Sequence, residues 1–140
     1  KAQAEDKLMI IAANIPIKVK VDPTTLLGQA MTWSKDSYKN EDELLAKLHT
    51  YPNLILWISG HRHVSTVTPQ TSPDITQPKL GFWEVETPSL REYPQQFCTF
   101  EIIRNSDNTT SIFATDRSDR AGRIVGCQDP VLRNSCQRAI

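Results

Sequence analysis

Long apolar runs are missing from this sequence. No window reaches the roughly 18–20 consecutive apolar residues of a membrane-spanning helix, and the opening KAQAEDK has no signal-peptide core. An excess of charge of either sign is missing as well. Sixteen basic residues balance sixteen acidic ones and aromatics make up 7% of the chain, so the sequence lacks the electrostatic footprint of nucleic-acid or anionic-membrane binding. Cysteine is scarce: Cys98, Cys127 and Cys136 are odd in number and lack CxxC spacing. That argues against a metal knuckle or a complete disulfide framework and leaves a Cys127–Cys136 bridge open. There is no internal repeat and no second composition regime large enough for a domain. An initiator methionine is also missing, and the first strand pattern starts only at Leu8, as though the chain were entered midway. The expectation is a soluble chain with no targeting signal and an undetermined compartment.

What is present fits one domain, or part of one, since 140 residues are enough for a real core and too few for two. Leu8 to Ala13 and Leu54 to Ile58 are continuous apolar runs of strand length, and both read as buried strands, the second covered on both faces. Pro16 ends the first and places Asn14 on a loop at the strand end. Between them KNEDELLAKLHTYPN predicts a helix. Asn40 is its N-cap and Glu43 the capping-box partner, Glu41, Asp42 and Glu43 load its positive end, and Leu44, Leu45 and Leu48 form its apolar stripe. Strand, helix and strand make a βαβ unit with parallel strands over residues 8–67. The mixed segment from Asp22 to Lys39 reads as a long loop or as containing a short helix from Thr24 to Met31. Residues 68–81, rich in Pro, Thr and Ser, predict an irregular loop. Residues 82–116 predict antiparallel strands, with a hairpin of Phe97 to Arg104 and Thr109 to Thr115 turning at Asn105 to Asn108. Residues 117–140 predict an irregular tail or docking segment. The fold class is α/β in the mixed α+β sense, one βαβ unit followed by antiparallel strands.

The chemistry-bearing stretch is Gly-His-Arg-His, residues 60–63. Gly60 suits a sharp turn at the strand end, and the C-terminal ends of strands in open α/β sheets are where ligands bind. His61 and His63 could each present an imidazole to one cavity, a good donor for zinc, manganese or iron. The same pair also reads as two solvent-exposed loop histidines, or as one hydrogen-bonded in the core and one outside. His49 closes the helix, where an imidazolium meets the negative end of its dipole, a structural role. Arg62 suits phosphate oxygens, or an outward position in solvent. Trp57 and Trp83 fall in strand patterns and read as core, and Glu84 and Glu86, which share a strand face with Phe82, read as a solvated face, with a catalytic carboxylate pair as the alternative.

LILWISGHRHVSTVTP followed by GFWEVETPSLREYPQQFCTFEIIRNSDNTTSIFATD resembles the C-terminal half of calcineurin-like metallophosphoesterases, in particular a branch with GHxH followed by GFWEVETPSLR. The resemblance covers roughly Leu8 to Asp116 and is specific over Pro52 to Asp116. It implies the C-terminal half of a β-sandwich with flanking helices around two divalent ions, manganese, iron or zinc. His61 would ligate one ion and His63 the other, and a bridging hydroxide would attack a phosphate ester. The family's earlier ligand motifs, DxH, GDxxD and GNH[DE], have no match here, and Asn14 stands where a histidine ligand is usual. The resemblance therefore implies a partial domain whose N-terminal half is missing, inactive by itself, with exposed sheet edges that invite a homodimer. Two other readings remain: a non-catalytic protein-interaction module with a decayed metal site, and a structural metal site completed across a dimer.

Overall fold

The computed structural model describes residues 2–5, 7–17, 40–91, 93–118 and 137–139. Its elements are strand β1 (Met9–Ala12), helix α1 (Glu41–Leu48), strands β2 (Leu54–Ser59), β3 (Thr66–Gln70), β4 (Phe82–Glu86), β5 (Gln96–Arg104), β6 (Thr109–Ser118) and β7 (Gln137–Ala139). The content is mixed α and β. One sheet has the order β1-β2-β4-β3 and the other β5-β6-β7.

The apolar run at β2 takes the central position that its composition requires, with every residue buried except the half-buried Ile58. β1 runs parallel to it, as a βαβ unit demands, with Ile11 opposite Trp57 and Ala12 opposite Ile58. The register slips between Met9 and Ile10, which face Leu54 and Leu56. Ile55 is the extra residue of that bulge, so Leu54 and Trp57 pack toward α1 while Ile55 and Leu56 pack toward the second sheet. On the first face, Leu44, Leu45 and Leu48 of α1 close over Ile17, Trp57 and Phe82. On the other, Leu56 and Val85 meet Ile112 and Ala114 of β6, with Trp83 and Phe100 at the margin. The molecule is thus helix, sheet, sheet.

α1 starts at Asn40, but the cap is not the one the sequence suggests. The Asn40 side chain donates to the Glu43 carboxylate (3.1 Å) rather than capping a backbone N–H. His49 is buried at the helix end, where Nδ1–H donates to the Leu80 carbonyl (2.8 Å) and the ring lies 5.4 Å from Phe82. Its role is structural, through that buried hydrogen bond and the packing on Phe82.

Three expectations need correction. Among the described residues β1 is an edge strand rather than a buried one: its burial alternates, and Ile10 and the preceding Leu8 are 46% and 44% exposed. Residues 68–81 are not wholly irregular, since β3 occupies Thr66–Gln70 and a 3-10 turn occupies Pro78–Leu80. Pro69 is tolerated because β3 is the other edge of the sheet among the described residues, where a missing N–H costs no ladder bond. Residues 82–116 are not all antiparallel. β4 is antiparallel to β3 but parallel to β2, which puts it inside the first sheet.

The predicted hairpin forms, slightly longer at each end, with Phe100 opposite Ala114 and Ile102 opposite Ile112. Asn108 takes the left-handed conformation at φ 62°. Asp107 accepts the Thr109 N–H (3.0 Å) and hydroxyl (2.7 Å), bonds that hold its carboxyl below the ordinary range. Within the tail, β7 pairs antiparallel with the start of β6. The alternatives for Asp22 to Lys39, the pair Cys127 and Cys136, and most of 117–140 lie outside the described residues.

Candidate functional site

The parallel pairing of β1 and β2 carries two loops to the same end of the sheet. Ala13 donates to the Ile58 carbonyl (2.9 Å) and Gly60 to the Asn14 carbonyl (3.1 Å), so Asn14 and the histidine loop leave their strands side by side. The turn itself falls one residue later than the sequence suggests. Gly60 has no positive φ, and a Cβ there would meet only Thr87 Oγ1 at an ordinary 3.8 Å. His61 and His63 carry the left-handed backbone instead, at φ 73° and 57°. The Arg62 N–H closes back on the Gly60 carbonyl (2.9 Å), which makes His61 the centre of a three-residue turn of the rarer, strained hand. Non-glycine residues in such regions cost of order 1–3 kcal/mol each and collect at functional sites. Of three such residues among those described, two are the histidines of the GHRH loop.

Arg62 does not extend into solvent but folds onto Glu86. Its Nε donates to Glu86 Oε1 (2.7 Å) and its Nη2 to Glu86 Oε2, a two-point ion pair on a carboxylate side chain only 2% exposed. That hydrogen bond raises the Arg62 pKa further above its ordinary value. Three residues on, the Ser65 hydroxyl donates to Asp116 of β6, which is buried. Glu86 also accepts from Thr66 Oγ1 (3.3 Å).

Glu84 and Glu86 are therefore not a solvated face. Both are buried, on the α1 side of β4, in line with Phe82. Glu84 accepts the Ile17 N–H (2.8 Å) and Gln70 Nε2 (2.6 Å). A pocket of about 480 Å³ lies between these groups and Leu45 of α1, and Arg62, Thr66, Thr68 and Gln70 also line it. Burial is the largest influence on Glu84 and pushes its pKa up, opposed by the Ile17 and Gln70 hydrogen bonds and reinforced by the Glu86 charge. An acid raised in the folded state loses its proton first in the unfolded chain. As pH climbs above about 4.5, the ordinary value, stability falls until the folded carboxyl ionises too. Glu84→Gln is expected to remove that decline. Denaturant midpoints from pH 4 to 8 should diverge in the variant's favour as pH rises, and parallel curves would contradict the assignment.

On the far side of the first sheet, Cys98 faces Asp116 across the hairpin. Burial, then the Asp116 charge, push its thiol up to about 12, so it is a poor nucleophile. Trp57 is core on the α1 side, and Trp83 is half-buried on the opposite face, packed against the cluster between the two sheets.

The sequence-predicted residues His61, Arg62 and His63 thus share one pinned loop with Asn14 beside it. Ser65, Glu86 and Asp116 were missed. The one available signal was that an arginine inside a turn next to a buried strand needs a carboxylate. Among the described residues no group of three or more His, Cys, Asp or Glu is assembled as for a metal ion. The chain matches no family model and no curated protein.

Proposed function

We propose that this chain is the C-terminal part of a dinuclear metallophosphoesterase acting on phosphate mono- or diesters, with His61 and His63 each serving one ion and Asn14 at a third ligand position. The observation that carries the reading is the pair of left-handed histidines at the C-terminal end of the central parallel strand. The donor set fits in kind, two imidazoles and an amide oxygen at adjacent strand ends, and it is incomplete in number. When bound, two divalent ions supply a bound hydroxide and charge stabilisation on phosphoryl oxygens. The chain's own residues hold and orient the imidazoles. Arg62, committed at Nε and Nη2 to Glu86, acts as a strut rather than a phosphate clamp.

No helix among the described residues is long and apolar enough to cross a membrane. Exposed Leu8 just before β1 and Ile10 on it, together with Phe97, Ile103 and Phe113 on the outer face of the hairpin, suit either strands of a missing N-terminal half or a second copy of the chain. The same surface favours the second reading, a non-catalytic interaction module. Metal separates the two. Titrating the chain with manganese is expected to broaden the NMR signals of both imidazole rings selectively, with metal retained on elemental analysis falling in His61→Ala and His63→Ala. Rings that stay sharp at millimolar manganese would end the metal reading. The isolated chain should not turn over an aryl phosphate.

A further inference from the structure

The histidine loop is strained and short of ordinary secondary structure, yet it is tied at successive points. Gly60 is bonded to Asn14, Arg62 to Glu86 at two atoms, and Ser65 to Asp116. The two carboxylates belong to different sheets, Glu86 to β4 and Asp116 to β6. Strained backbone persists only where the surroundings over-determine it. A loop with neither tie would relax His61 and His63 to ordinary dihedrals and turn the rings.

We infer that Glu86 and Asp116 are positioning residues for the two histidines, acting through Arg62 and Ser65 respectively, and that they clamp the loop between the two sheets so that both imidazoles are oriented before any ligand arrives. Neither carboxylate needs to touch the ligand. The Glu86 carboxylate accepts from Arg62 at both oxygens and from Thr66, and that of Asp116 accepts from Ser65. The purpose of the clamp rests on the metal reading above, whereas its existence does not. Partners of this outer kind set ligand orientation, and their loss weakens metal binding by about 10- to 100-fold.

The test compares the full chain with Glu86→Gln, Asp116→Asn and Ser65→Ala under native conditions. Two readouts follow the loop: the imidazole NMR signals of His61 and His63, and the rate of tryptic cleavage after Arg62. Ile112→Val serves as a control that lowers thermal stability without touching the loop. Expected are averaged ring signals and at least tenfold faster cleavage in Glu86→Gln and Ser65→Ala, with neither change in Ile112→Val. Ser65 is exposed, so Ser65→Ala keeps the test decisive if a carboxylate variant fails to fold. Unchanged rings and cleavage in Ser65→Ala and in whichever carboxylate variants fold would overturn the clamp. Zinc added to each variant decides the ligand question separately: if it moves neither ring in the unaltered chain, the metal reading fails while the first two readouts still decide the positioning.

Discussion

Glu86→Ala is expected to destabilise the chain by about 3 kcal/mol, the lower end of what removing one partner of a buried pair costs. The Arg62 side chain is 17% exposed and its partner 2%, so deleting the carboxylate strands a guanidinium with little access to water. The double variant Arg62→Met with Glu86→Leu should recover most of that loss, because two apolar side chains leave no charge to desolvate. Urea unfolding of the single and double variants measures both. A single variant as stable as the parent would mean that the pair is open to solvent and screened, as surface pairs are.

The second large effect belongs to the core. Leu56 is 0% exposed, at the middle of β2 and between Val85 and the β6 residues Ile112 and Ala114. Leu56→Ala removes its transfer energy and leaves a cavity that two sheets cannot close over, at about 2–5 kcal/mol. Since domains are typically stable by about 5–15 kcal/mol, this is a large share. The urea midpoint should fall with an unchanged slope. A loss below about 1 kcal/mol would show that the sheets slide together and that their packing is loose.

Much of the frame was legible in the sequence. The run at 54–58 read best as a central strand, the Asn40–Leu48 pattern read as an amphipathic helix, and the turn formers at 105–108 marked the hairpin. What could not be read depended on partners distant in the chain. β3 crosses a proline, and only its edge position beside β4 makes that harmless. β4 alternates like a half-exposed strand, yet its polar side is inward, since Ile17, Gln70 and Arg62 arrive from elsewhere to satisfy Glu84 and Glu86. The histidines were visible as a motif, whereas their backbone strain was not, because local composition pointed to Gly60 as the turning residue. Asp116, 51 residues from the Ser65 it binds, had no local signature at all.

Pro69 and β1 together give the first sheet a direction. On the β3 side, residue 69 offers no N–H to an incoming strand. On the β1 side, the outer edge of Met9–Ala12 is unpaired among the described residues. Among the described residues the sheet is therefore a ladder with a donor missing from one rail and a full set of backbone groups on the other, and a strand that extends it is favoured at the β1 rail, one strand removed from the histidine loop.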